Sequence, residues 1–389
     1  MSTKYQVGHL ESYPEHTLFK HRLLDCYVPR WLQKVVRGRP GTRGVVIVDA
    51  FAGPGSDSQG NEGSPLLLSR AAIVGRERLR HDGFSVDVQV IAIEQAPARF
   101  AKLAELMEPF GAAVRTLPGT LREHLEPILT RHSGWPMLFF FDPFGVKGLD
   151  ADLVSRVLSE EGREALVLLN DPGALRLVGA AKVRRARVGK SPENLSLFEG
   201  REVEPEAISP PEILWSRGEE ISREILTAAF GDDRWQVVMR LAPGWPRRRK
   251  LIELYEGLLH EMGAAYTTRI PVWNVGRLRQ YTLLHASRSP HGRATMKEEV
   301  KRALGSCSLP DAVKEIVRTE LRVNVDDVSG GIQGAFRGRE AFWAMDRRPS
   351  VQEFALQETG IFPFQLDELK RTLQRWKQPG TIVSYRLPE

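Results

Sequence analysis

Four apolar runs in the first half of this 389-residue chain stop on an acidic or amide residue: GVVIVD at Asp49, VDVQVIAIE at Glu94, MLFFFD at Asp142, and EALVLLND at Asn170 and Asp171. GVVIVD and MLFFF are apolar on both faces, so they have to be covered on both sides, which is the condition of central strands in a parallel sheet. Segments with helical spacing lie between the runs. PARFAKLAELMEPF puts Phe100, Leu103, Leu106 and Met107 on one face, TLREHLEPILTRH offers Thr120 as an N-cap, and DADLVSRVLSEEG follows the fourth strand. With AAVRTLPG as a short third strand, the alternation from about 44 to 172 predicts five parallel strands joined by crossover helices. Such a sheet binds its ligand outside the carboxyl ends of the strands, where the polar tips fall.

Composition narrows the class. Hydrophobic residues at 42% and charged residues at 27% exclude a disordered or fibrous chain. No apolar run approaches the roughly 18 residues that span a bilayer. MSTKYQVGHLESYPEH lacks the charged start and apolar stretch of a signal peptide, so a cytoplasmic protein with no membrane partner is expected. Cys26 and Cys307, the only cysteines, are too few for a disulfide framework and are expected as buried thiols. The net charge of +6 matters less than its distribution. RLVGAAKVRRARVGK holds Lys182, Arg184, Arg185 and Arg187 with no acidic residue, and Arg247, Arg248, Arg249 and Lys250 are consecutive. Both clusters are candidate surfaces for a nucleic-acid backbone, or else solvated faces with counter-charges from elsewhere.

After the fifth strand the pattern changes. Residues 173–245 read as an irregular basic and helical insertion, with VEPEAISPPEI at its centre. KLIELYEGLLHEMG is then a helix, and AYTTRIPVWN and QYTLLHAS, separated by VGRLR, give a hairpin signal that completes the core sheet over 246–295. Residues 1–40 are expected as a helical segment packing on a 41–172 core with its cofactor loop. Residues 296–389 are expected as a C-terminal helical module. FPFQLDELKRTLQRWKQPGTIVSYRLPE, a helix, a tight turn and a strand, suits the end of a winged helix or a helical bundle. Five parallel strands closed by a hairpin are the element order of a methyltransferase-type Rossmann fold, an α/β architecture.

The loop VDAFAGPGSDSQGNEGSP is built for a close backbone approach at Gly53 and Gly55. It lacks GxGxxG, and Pro54 stands between the glycines, which disfavours a dinucleotide pyrophosphate wanting free backbone N–H groups. S-adenosylmethionine, with no phosphate and a charged amino-acid end, fits better. Asp49, Phe51, Gly53, Gly55, Ser64 and Glu94 are its candidate ligands. Glu94 is placed for the ribose hydroxyls, and Ser64 reads as the cap of the next helix. Asp142, Pro143, Phe144 and Gly145 form DPFG, similar to the D-P-P-Y motif of amino methyltransferases acting on nucleic-acid bases. There the carboxylate and the proline carbonyl orient an exocyclic amine and an aromatic ring stacks on the base; here Phe144 stands in the third place and glycine in the fourth. Lys20 lies one turn after His16 on a helix that either packs on the core or closes over the ligand's amino-acid end.

HTLFK with LDCYVPRW, VDAFAGPG with GNEGSP, the Ile93-Glu94 pair, FFDPFG and RIPVWNVGRLRQYTLLHASRSPHG together resemble the three-Cys-motif partner protein family, TcmP, over residues 16 to about 300. The resemblance implies a methyltransferase-like Rossmann core and a partner carrying a three-cysteine, radical-SAM-like motif. It places family motif positions at His16, Lys20, Asp49, Gly53, Gly55, Gly60, Gly63, Ser64, Glu94, Asp142, Pro143, Phe144 and Gly145. The expected function is an S-adenosylmethionine-dependent methyltransferase acting on nucleic acid, on a base amino nitrogen, with Asp142, Pro143 and Phe144 carrying the chemistry. The alternatives are a catalytically silent partner subunit of the three-cysteine protein, and a Mg-dependent nuclease or repair factor using Asp49, Glu94 and Asp142.

Overall fold

The computed structural model describes residues 15–57, 59–181, 217–274 and 279–306. Lys182, Arg184, Arg185, Arg187, the Pro-rich stretch, Cys307 and the expected C-terminal module beyond Ser306 lie outside the described residues.

The described residues open with helix α1 (Glu15–Gly38). Strands and helices then alternate: β1 (Gly44–Asp49), α2 (Ser64–His81), β2 (Asp87–Glu94), α3 (Pro97–Met107), β3 (Val114–Pro118), α4 (Leu121–Arg131), β4 (Met137–Phe141), α5 (Ala151–Leu158) and β5 (Arg163–Leu169). The Thr120 cap forms as a full capping box. Its hydroxyl accepts from Glu123 N at 3.4 Å while Thr120 N donates to Glu123 Oε2 at 2.7 Å, satisfying two of the donors a helix start leaves open. Three helices follow, α6 (Asp171–Ala180), α7 (Arg217–Phe230) and α8 (Trp245–Glu261), so what is described of the expected insertion is mostly helical. The hairpin is β6 (Tyr266–Asn274) and β7 (Arg279–Ser287), and α9 (Pro290–Ser306) runs as one helix through residue 295.

The seven strands form one sheet in the order β3-β2-β1-β4-β5-β7-β6. The first five are parallel, and β7 enters antiparallel between β5 and β6. Order reverses between β1 and β4, and such a reversal opens a crevice at the carboxyl ends of the two strands.

Strand alternation assigns two cores. Val46, Val48, Phe139, Phe141 and Val167 face α4 to α8, whereas Val45, Ile47, Leu138, Phe140, Leu166, Ile270 and Leu283 face α1, α2 and α9. Every residue of β1 and β4 is buried, as both-sided apolarity requires. Following β1 and β4 outward, Asp49 and Asp142 continue the second set, so both carboxylates turn toward α1 and α2. Cys26, on α1, is half-buried rather than buried, because the apolar face of that helix is taken by Leu23, Leu24, Tyr27, Val28 and Trp31. Among the described residues no helix is long and apolar enough to cross a membrane.

Candidate functional site

The crevice between β1 and β4 is walled by α1 and α2 and floored by the glycine loop. Ala50 N donates to Phe140 O at 3.0 Å and Ala52 N to Ile93 O at 2.9 Å, so the loop is stitched to β4 on one side and β2 on the other. Gly53 then adopts φ +63°, a region unfavourable to other residues, and a β-carbon there would meet nothing within 4 Å. Its outer side is open space. Gly55, at φ +82°, is used differently: its added β-carbon would lie 3.2 Å from Leu106 Cδ1 and 3.4 Å from Leu103 Cδ1, so that residue seats the loop on α3. The loop closes on itself through Gly63 N to Gly55 O at 2.7 Å and through Asp57, whose Oδ1 accepts from Gln59 N and Asn61 N.

Ser64 does not cap α2. Gly63 occupies the cap position with no side-chain bond, and Ser64 is the first helical residue, followed by Pro65, which is suited to a helix start because it has no N–H to satisfy. The serine side chain is freed for Asp49. That aspartate is wholly buried, its Oδ1 accepts from Phe51 N at 3.3 Å, and its Oδ2 has no hydrogen-bond partner among the described residues. Burial pushes the Asp49 carboxyl up to about 7, against the pull of the Ser64 hydroxyl and the Phe51 N–H. The negative Asp142 adds to the rise, and the Lys20 ammonium opposes it. A buried carboxyl with one oxygen unsatisfied fits a cationic or hydrogen-donating ligand and repels a phosphate.

Lys20, from α1, is ion-paired with Asp142, both largely shielded from water, and its ammonium lies 5.9 Å from the centre of the Phe140 ring. The two residues expected to serve cofactor and acceptor separately thus meet each other. The side chain of His16 lies outside the described residues. Glu94 is 5% exposed, and among the described residues all its bonds fall on Oε1, which accepts from Ala96 N at 2.7 Å and Arg99 Nε at 2.9 Å. Arg99 was not singled out in the sequence. Its signal is its place in the first turn of α3, right after the strand tip.

DPFG splits by residue. Pro143 is buried, Val146 and Leu149 anchor the following loop, and Phe144 projects wholly into solvent at 105% relative exposure. Phe51, by contrast, is half-buried and packs against the main core. The tip of β5 is taken up structurally. Asn170 Oδ1 caps α6 by accepting from Gly173 N at 2.8 Å, and buried Asp171 pairs with Arg248 and accepts from Thr282 Oγ1 at 3.2 Å.

The basic run of α8 is divided in the same way. Arg248 is turned inward onto Asp171, Arg247 donates to Leu241 O and Met239 O, and Arg249 pairs with Glu253 one turn on. A continuous four-cation face for phosphates is therefore absent there, because helical geometry sends consecutive side chains in different directions. Among the described residues no group of three or more His, Cys, Asp or Glu is placed to hold a metal ion.

No family model matches the chain, and no curated protein matches it. Among solved structures, the SAH-bound methyltransferase PaMTH1 of Podospora anserina aligns over 66% of this chain and 76% of its own, at 12% identity and a TM-score of 0.30.

Proposed function

We propose that this chain is an S-adenosylmethionine-dependent methyltransferase-like protein acting on nucleic acid, at a base amino nitrogen. In this reading it works with a three-Cys-motif, radical-SAM-like protein, as its resemblance to the three-Cys-motif partner proteins implies. The observation that carries the reading is Asp49. It is a buried carboxylate with a free oxygen, set at the switch point of the sheet beside the open outer side of Gly53. S-adenosylmethionine, when bound, supplies a methyl group attached to a positively charged sulfur. Asp49 and Ser64 take the charged amino-acid end, Gly53 admits the ligand against the backbone, and Glu94 accepts from the ribose through its second oxygen. Asp142 and the Pro143 carbonyl orient the acceptor amine, and Phe144 stacks on the base, its full exposure suiting a partner that arrives from solution. A base inside a duplex has to be flipped out to reach this crevice.

The Lys20–Asp142 pair favours a second reading, a silent partner subunit, because an aspartate already neutralised by an ammonium accepts a neutral amine poorly. Titration calorimetry with S-adenosylmethionine tests the cofactor. Saturable binding is expected, weakened at least about tenfold in Asp49→Asn, Glu94→Ala and Gly53→Val, a loss of about 1.4 kcal/mol. No binding by the wild type would sink the proposal. Binding without transfer of labelled methyl to tRNA, ribosomal RNA or DNA, with the three-cysteine protein present, would establish the silent reading.

A further inference from the structure

On the far side of the same sheet face, where α9 crosses the edge strand β6, several polar side chains are buried without partners among the described residues. Lys297 is 5% exposed and its Nζ has no hydrogen-bond partner among the described residues. Among the same described residues, Arg293, one turn earlier and half-buried, has no partner for its Nε, and Thr268 on β6, 3% exposed, has none for its Oγ1. Geometry brings these three together. Residues 293 and 297 share a helix face about 6 Å apart along the axis, and Tyr266 and Thr268 share a strand face about 6.6 Å apart. Because Ser287 pairs with Tyr266 and α9 begins three residues later and turns back over the hairpin, Arg293 falls toward Tyr266 and Lys297, one turn on, toward Thr268. Met296 and Val300 of α9 and Ile270 of β6 belong to one core, which confirms that this helix face meets this strand face.

The charge balance is one-sided. Glu256 acts on Arg293 but is itself ion-paired with Arg269, and among the described residues no carboxylate is paired with Lys297. Of the buried carboxylates near α9, Glu164 is taken up by Tyr27 and His285 and Glu299 by Arg30 and Arg302, while Asp49 and Asp142 lie at the carboxyl end of the sheet. A guanidinium cannot shed its charge near neutral pH and a buried cation is costly, and among the described residues neither Arg293 nor Lys297 has an ion pair with a carboxylate. The set consists of a planar fork, an ammonium and a hydroxyl, all able to donate, and a group of donors of that kind suits an oxyanion.

We propose that Arg293, Lys297 and Thr268 form a binding site for a phosphate group, with Arg293 at its rim and Lys297 at its floor. The site is independent of the crevice at Asp49, on a different pair of elements. Calorimetry with inorganic phosphate on the full chain tests it. Saturable binding is expected, reduced on the order of tenfold to a hundredfold in Lys297→Met, the loss that follows from removing one charge-assisted hydrogen bond. In phosphate-free buffer the same variant is expected to melt at the wild-type temperature or above it, because a buried unpaired charge has been removed; this separates loss of a site from loss of fold. Arg293→Met serves as a second variant, and unchanged S-adenosylmethionine binding in both separates this proposal from the functional one. Tighter binding of a 5′-phosphorylated than of a 5′-hydroxyl oligonucleotide, lost in Lys297→Met, would identify the phosphate as a nucleic acid's; equal binding would identify a free anion. Absence of phosphate binding by the wild type, or equal binding by Lys297→Met, overturns the assignment.

Discussion

Helix α1 covers two buried acidic clusters, and they are built in opposite ways. Lys20 stands over Asp49 and Asp142 at the carboxyl end of the sheet. Tyr27, two turns and about 10 Å further along the same helix face, stands over Glu164 and His285 near the other end. In the lower cluster Glu164 Oε2 accepts from Tyr27 Oη at 2.6 Å and lies 2.8 Å from His285 Nε2, and Ser287 adds another bond. Burial alone would raise the Glu164 carboxyl, yet these bonds hold it below the usual carboxylate range; for the same reasons, burial first, the Tyr27 phenol is raised. Asp49 in the upper cluster is as deeply buried, but one of its oxygens is unanswered and its carboxyl rises to about 7. A carboxylate whose bonds are complete is part of the framework; one left incomplete beside an open glycine is shaped for a ligand.

Three substitutions set the two clusters against each other. Glu164→Leu should cost most, about 3 kcal/mol or more in chemical denaturation, since it leaves Tyr27 and His285 with only each other in the core. A midpoint unchanged from wild type would dissolve the contrast. Asp49→Asn should act mainly through pH. A carboxyl raised from 3.8 to about 7 binds a proton in the folded state that the unfolded chain has released. Its contribution is therefore full below about pH 4 and lost as pH rises through 7. Wild-type stability should fall across that window by a few kcal/mol at most, and the asparagine variant should fall less; parallel pH profiles would contradict the role given to burial. Phe144→Ala should be the mildest, within about 0.5 kcal/mol in stability because the ring touches little. Its expected effect is on single-stranded oligonucleotide affinity, about 1 kcal/mol or more if the ring stacks on a base.

How much of this could be read from the sequence depends on whether a residue's role is local. The five parallel strands, the hairpin and the Thr120 cap follow from periodicity and short-range bonding, and each is legible in a few consecutive residues. So is the glycine at 53, whose positive φ belongs to its own turn. Ser64 was misplaced because a cap and a first helical residue differ by one position, and Pro65 decides between them. Arg248 and Lys20 could not be read correctly, because their partners Asp171 and Asp142 lie 77 and 122 residues away. Charge runs advertise a surface; only the fold reveals which members point inward.

The anchoring of α1 also has a cost in time. Its bonds reach 137 residues ahead to Glu164, 258 to His285 and, from Arg22, 284 to Ser306. At a synthesis rate of about 5–20 residues per second, roughly 10 to 50 seconds separate the making of Tyr27 from the making of His285. Throughout that interval Phe19, Leu23, Leu24 and Trp31 lack part of the core that finally buries them. This helix is made well before the hairpin and α9, and its docking is complete only once they exist. While α1 waits for the hairpin and α9, part of its apolar face is uncovered, and surface of that kind is what aggregates and what chaperones hold.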